Sequence, residues 1–432
     1  MNNSRIVIAD AIARVRKGEA RALKAGGAWI YDNEIDCVEG TFENGDILRV
    51  QDFDGYPLGY GFINENSKIR IRMLSRYRKE PVDILFLQQR VEAAWEYRKA
   101  VMGDDLNCTR VIFGEADSLP GLVVDKYADV LVVESLAMGI DRLKGIIVEH
   151  LINLCKKDGI VINAVYERSD APVRKKEGMQ PFKGLLWKNK ECEMSDDELM
   201  DYLTHIEIVE NGVHYLVDVI NGQKTGFFLD QKFNRRAMQR LCKNLASGAG
   251  DSKIRVLDCF THMGTFALNC GLALGEKGDV TGLDISEYAV EQATANSARN
   301  NLTEVVKFRA ANVLDELPKL GAAGEMFDVV ILDPPAFTKS REATKNAIKG
   351  YREINMKGMR LVKDGGYFAT CSCSHFMTQE LFTKTIAEAA KAVHKRLRQI
   401  EFNTQAPDHP ILWSADESYY LKFYIFQVVD EK

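Results

Sequence analysis

No apolar stretch in this 432-residue chain is long enough to span a bilayer, so a membrane protein of the helical kind is not expected. The start, Met1-Asn-Asn-Ser-Arg-Ile6, lacks the apolar core and cleavage site of a secretory leader, and Asp10 and Glu19 count against a transit peptide. The nine cysteines are odd in number and scattered, with no Cys-x-x-Cys and no histidine at metal-ligand spacing. A disulfide framework and a structural zinc are therefore not expected, and reduced thiols in a cytoplasmic protein fit better. A net charge of −5 gives no global attraction to nucleic acid and leaves local basic patches to decide that question. Internal repeats and low-complexity segments are also missing, and the length calls for two or three domains.

Against these absences stand two residues forty apart, Asp333 and Cys373. Asp333 opens Asp-Pro-Pro after the apolar run Phe327-Asp-Val-Val-Ile-Leu332, and Cys373 lies in Cys371-Ser-Cys-Ser374 after Gly366-Tyr-Phe-Ala-Thr370. Each run reads as a buried strand of a parallel sheet, with Thr344 to Leu361 as the helical crossover. Strands joined this way usually lie side by side and end at one edge, where open α/β sheets hold their ligands. A carboxylate and a thiol are thereby expected in one site.

From about Val213 onward strands and helices alternate, which predicts an α/β sheet. Strand Ile254–Leu257 precedes helix Thr265–Leu274, and strand Asp279–Leu283 precedes helix Ser286–Asn300; Val306–Phe308 follows. Helix Thr378–His394 leads to a final β pair, Leu397–Phe402 and Tyr419–Val428. The turn after the first strand, Asp258-Cys-Phe-Thr-His-Met-Gly-Thr-Phe266, lacks the three-glycine dinucleotide pattern but offers Gly264 and Thr265 at a helix N-terminus. Asp284 ends the second strand and is placed to accept both hydroxyls of a ribose; Asn312 ends the third and suits an adenine edge or amine. Acids after strands one, two and four favour S-adenosylmethionine over a nicotinamide dinucleotide, because it has a cationic sulfonium and no pyrophosphate. Singly, Asp258 and Asp284 also read as helix caps.

A thiolate adding to carbon 6 of cytosine makes carbon 5 nucleophilic toward a methyl sulfonium, and a cysteine beside an aspartate in a methyl-donor site fits that covalent scheme. Cys371 is the weaker candidate, being nearer the strand body. Asp333-Pro-Pro-Ala-Phe337 also resembles the loop by which amino-methylating enzymes hold an exocyclic nitrogen, and such enzymes need no cysteine. A non-catalytic RNA-binding or assembly factor with the same fold, and a nicotinamide oxidoreductase, are further alternatives.

Several long blocks, in order, carry a resemblance over almost the whole chain. They are Gly114–Asp125, Arg168–Gly178, Lys224–Gln231, Asp333–Pro335, Gly350–Asn355 and Ser372–Ser374. Together they resemble the 23S rRNA (cytosine-C5) methyltransferases of the large-subunit methyltransferase I type. The resemblance implies a PUA-like RNA-binding β-barrel (1–80), a helical connector (81–103), a central β-rich α+β domain (104–212) and a Rossmann-like class I methyltransferase domain (213–432). It implies Cys373 as nucleophile and Asp333 beside the target base. Cofactor contacts are implied from Gln231, Asp258, Phe260, Thr261, Gly264, Asp284, Asn312 and Asp333. The chain departs from the family pattern at Thr261-His-Met-Gly264, where Tyr-Thr-Gly-Gly is common, and at Asn312, where aspartate is common.

RNA partners are read from basic clusters: Lys68, Arg70 and Arg72 on one strand face, Arg174 and Lys175, and Lys339 and Arg341 just after Asp-Pro-Pro. The alternative for each cluster is solvated surface charge. A homodimer is compatible with the chain; no metal is expected.

Overall fold

A computed structural model describes residues 6, 8–76, 82–338 and 342–431. They form two compact units, and the chain passes between them more than once. The first comprises the chain up to Ile208 together with Leu216–Leu229 and Pro407–Ser418; the second comprises Val209–Tyr215, Asp230–Ala406 and the stretch from Tyr419.

In the first unit, six strands order as Trp29–Tyr31, Ile69–Arg76, Pro57–Ile63, Ile47–Gln51, Ile8–Val15 and Ile35–Gly40. Within the expected β-barrel segment the first strand, Ile8–Val15, pairs parallel to Ile47–Gln51. Asp83 caps the connector helix Ile84–Met102 by accepting from Phe86 N at 2.8 Å. Five further strands follow, in the order Phe182–Lys188, Ala164–Ser169, Val130–Ser135, Leu122–Tyr127 and Cys108–Phe113. One core of buried side chains, among them Phe62, Trp95, Val133 and Leu151, runs through both sheets and the connector helix.

The second unit holds a seven-stranded sheet. Its strands are β1 (Ile254–Cys259), β2 (Gly278–Asp284), β3 (Val306–Ala310), β4 (Phe327–Leu332), β5 (Val362–Ser372), β6 (Lys395–Asn403) and β7 (Lys422–Asp430). They order as β3-β2-β1-β4-β5-β7-β6. The first five run parallel, and β7 lies antiparallel to both β5 and β6. In β4, Val329, Val330, Ile331 and Leu332 are all fully buried, as a strand covered on both faces requires.

The helices of this unit are α1 (Lys232–Gly248), α2 (Thr265–Leu274), α3 (Glu287–Arg299), α4 (Val313–Ala322), α5 (Thr344–Arg360) and α6 (Gln379–Ala392). The sequence pattern does not predict α4, because Pro318 stands inside it. A proline there has no N–H for the carbonyl four residues back, that of Leu314. Lys357 Nζ donates to that oxygen at 3.0 Å, so the helix continues with its carbonyl satisfied.

Candidate active site

The register of β4 and β5 pairs Leu332 with Thr370, so the next residues, Asp333 and Cys371, meet at the sheet's C-terminal edge. Cys371 is fully buried and its thiol donates to Asp333 Oδ1 at 2.7 Å. Gln231, just before α1, donates from Nε2 to both Asp333 oxygens at 3.2 and 3.3 Å and reaches Cys371 Sγ at 3.5 Å. Asn234 Nδ2 donates to Gln231 Oε1 at 2.6 Å, which fixes the amide in that orientation. Burial, and after it the negative charge of Asp333, pushes the Cys371 thiol well above its ordinary range, so this sulfur stays protonated.

Side chains alternate along a strand, so Ser372 turns away from the Cys371 side; its hydroxyl donates to Tyr351 OH at 3.0 Å. Cys373 is the first residue past β5 and is half-buried. Ser374 then ties the turn down by donating from Oγ to the Thr338 carbonyl at 2.9 Å. From β7, Lys422 Nζ donates to Ser374 O at 2.7 Å and to Tyr420 O at 2.9 Å. Lys422 is itself only 1% exposed. Nothing in the sequence analysis singles it out, although a lysine opening the apolar run Phe423-Tyr-Ile-Phe426 is a signal of a buried cation.

A second group of residues forms the turn between β1 and α2. Asp258 is fully buried, and its Oδ2 accepts from Thr261 Oγ1 at 2.5 Å and from Ala267 N at 2.9 Å. Its Oδ1 has no hydrogen-bond partner among the described residues. Phe260 and His262 both adopt positive φ, of 66° and 51°, which is strained for side-chain-bearing residues and frequent at ligand-holding loops. Gly264 follows at φ 85°, where a Cβ would also lie 2.6 Å from the Phe308 ring, so glycine is required there. Asp284, at the end of β2, accepts from His262 N at 2.9 Å and Ser286 N at 3.0 Å.

Burial raises the Asp258 carboxyl from 3.8 to about 7; its two hydrogen bonds oppose this, and the charges of Asp333 and Asp284 add to it. Three carboxyl groups thus act on one another at the edge of β1, β2 and β4. A cationic ligand relieves that repulsion and fits the site better than an anionic one. Asn312 is exposed and caps α4, accepting from Leu314 N at 3.1 Å and donating to Asp315 at 2.8 Å.

The proposed RNA contacts fare unevenly. Lys68 and Lys175 are exposed and Arg70 is half-buried. Arg72 requires correction: it is 8% exposed and pairs with Glu177 at 3.0 Å and Glu115 at 3.3 Å. Arg174 is corrected likewise, being 4% exposed and bonded to Ser135 O at 2.6 Å and Asp141 at 3.0 Å. Guanidinium groups engaged in this way hold the first unit together and are not presented to a phosphate. Lys339 and Arg341 lie outside the described residues.

Among the described residues no group of three or more His, Cys, Asp or Glu side chains is placed to hold a metal. No helix among them is long and apolar enough to cross a membrane.

Comparison with known proteins adds the following. Residues 13–76 match a PUA-like domain family, and residues 250–423 match a methyltransferase domain family. The chain is 36% identical over 416 residues to ribosomal RNA large subunit methyltransferase I of Pseudoalteromonas translucida, covering 96% of this chain and 98% of that one. It is 36% identical over 418 residues to the protein of the same name in Shewanella frigidimarina, with 96% and 98% covered. In three dimensions it is similar to a candidate SAM-dependent methyltransferase from Streptococcus mutans, with TM-score 0.73, 17% identity, and 96% and 99% of the two chains covered. A further candidate methyltransferase, solved with SAH, superposes with TM-score 0.75 at 18% identity over 96% of this chain and 99% of that one. At such identities these likenesses establish the fold.

Proposed function

This chain belongs to the ribosomal RNA large subunit methyltransferase I family, and from that premise we propose that it methylates carbon 5 of a cytosine in 23S rRNA. S-adenosylmethionine is the cofactor, and when bound it supplies an electrophilic methyl group on a cationic sulfur. The neighbouring carboxyl groups of Asp258, Asp284 and Asp333 suit that cation, and Asp258 Oδ1 is a buried atom with no hydrogen-bond partner among the described residues. Gln231, the turn from Asp258 to Gly264, Asp284 and Asn312 are the residues assigned to holding it.

In the reaction we assign to Cys373, its thiolate forms a bond to carbon 6 of the ring. Carbon 5 takes the methyl group and then loses its proton, and the sulfur–carbon bond breaks to release 5-methylcytidine. Asp333 sits beside the base and is held there by Cys371 and Gln231. The observation that carries this reading is the division between the two cysteines. Cys371 is fully buried and committed to Asp333, whereas Cys373 is half-buried at the end of the same strand. A nucleophile must be reachable, and of the two only Cys373 is.

Domain roles follow: residues 1–80 bind RNA, with Lys68 and Lys175 among the exposed contacts of the first unit, and 213–432 carry out transfer. The test is nucleoside mass spectrometry of unmodified 23S rRNA incubated with the protein and S-adenosylmethionine. The expected product is 5-methylcytidine, absent with Cys373→Ala and retained with Cys371→Ser. Methylation of an exocyclic amine, or full activity in Cys373→Ala, would refute the assignment.

A further inference from the structure

The segment Pro407–Ser418 belongs to the first unit and carries the most exposed large apolar side chain among the described residues, Trp413, at 96%. Tryptophan is highly buried on average, so an indole standing in water is unusual. A tight turn presents it. Ala415 N donates to Leu412 O at 2.8 Å, which closes a turn with Trp413 and Ser414 as its central residues. Ser418 locks that turn, its Oγ accepting from Leu412 N at 2.8 Å and donating to Ala415 O at 2.7 Å. Ala415 is buried, and Ser414 packs so closely on Gly26 that a Cβ added to the glycine would lie 2.1 Å from the serine Cβ. The turn is thus fixed on both flanks, while among the described residues the indole makes no hydrogen bond and no ring contact.

Gly26 falls within the stretch matched by the PUA-like family, so a turn from the far end of the chain is delivered to the part proposed above to bind RNA. The exposed residues beside the indole, Ser414 and Glu417, are polar. The indole therefore stands alone and centres no apolar patch, whereas a stable protein partner would need about 800 Å² of surface on each side. Basic groups flank Gly26: Arg21 and Lys24 are exposed, Lys24 is only loosely paired with Asp52 at 3.8 Å, and Arg76 donates to the Gly27 carbonyl. We propose that Trp413 is a binding residue, a platform on which one unpaired base of the RNA stacks. A base inside a duplex has both faces covered by its neighbours and cannot take that position; an unpaired base can. Every base has a π-face, so this contact holds single-stranded RNA in place without reading its sequence. The inference deepens the function proposed above and rests on it for RNA as the partner.

The experiment measures RNA binding by the full-length protein, apart from methyl transfer. The probe is a labelled single-stranded RNA of mixed sequence, free or annealed to its complement. Fluorescence anisotropy follows its binding to wild type, Trp413→Phe and Trp413→Ala. The alanine variant should bind the single strand about five- to a hundredfold more weakly, as the loss of one stacked base predicts, and phenylalanine should restore most of the affinity. That factor should be the same at low and high salt, because stacking releases no counterions, and duplex affinity should not change. Unlabelled single strand should quench the tryptophan fluorescence of wild type, and that quenching should be missing in Trp413→Phe. The side chain lies outside the core, so the three proteins should unfold at the same temperature. Single-strand affinity unchanged in Trp413→Ala overturns the proposal, even if the indole proves to mediate self-association. A loss equally large for the duplex, or one that shrinks with salt, also overturns it, since either marks a backbone contact. Wild type that binds neither RNA would sink the function proposed above along with the platform; binding that ignores the alanine sinks the platform alone.

Discussion

Replacing Asp258 by asparagine keeps an oxygen for Thr261 and Ala267 and removes a carboxyl whose ionisation works against the β1–α2 turn. The folded carboxyl titrates at about 7 against 3.8 in the reference state. The folded protein therefore binds a proton more tightly than the unfolded chain, and stability falls as pH rises from about 4 through about 7. About three units at ~1.4 kcal/mol each bring the full loss to about 4 kcal/mol. Between about pH 5 and about pH 8 the part lost is about 2–3 kcal/mol. Asparagine has no such loss, so the stability of Asp258→Asn relative to wild type should rise by that amount across the interval, without cofactor. Hydrogen exchange of β1 and α2 amides at the two pH values is the direct assay. Tryptophan fluorescence serves as a reference, because Trp29, Trp95, Trp187 and Trp413 all belong to the first unit. A difference between variant and wild type that is the same at both pH values would refute the reasoning.

The same carboxyl links pH to cofactor binding. A cationic ligand favours ionised Asp258, so S-adenosylmethionine should bind more weakly as pH falls below about 7, and S-adenosylhomocysteine, which lacks the sulfonium, should show a smaller dependence; titration calorimetry at several pH values compares them. Arg235 and Glu210 form an almost fully buried pair, with a second contact at 2.9 Å, so Arg235→Met leaves a bare carboxylate inside the second unit. It should cost about 3–5 kcal/mol in urea denaturation, and the double change Arg235→Met with Glu210→Leu should recover most of that loss.

Much of the catalytic sheet is legible in the sequence because its central strands are covered on both faces and read as unbroken apolar runs. Phe327–Leu332 is such a run, and the edge where Asp333 and Cys371 meet follows from its helical crossover to β5. What escapes the sequence depends on partners far along the chain. Arg72 looks like part of an exposed basic stripe until Glu115 and Glu177 arrive from 43 and 105 residues away. Arg174 is hidden in the same way by Ser135 and Asp141. Helix α4 is masked by Pro318, since the lysine that satisfies the freed carbonyl lies on α5. Period and alternation report one element's faces, whereas these three features are settled between elements.

The segment Pro407–Ser418 leaves the catalytic sheet after β6, joins the first unit and returns for β7. Its Asp408 is fully buried, with Oδ2 accepting from Thr109 Oγ1 at 3.0 Å and Arg110 N at 2.9 Å. The chain is in this sense sewn rather than strung. A gene cut near residue 213 would yield a catalytic half carrying a loop whose carboxylate has lost its bed, and a first half with an empty seam. The transferase half is consequently no cassette to be transplanted onto another N-terminal module; graft and host would have to share the stitch as well.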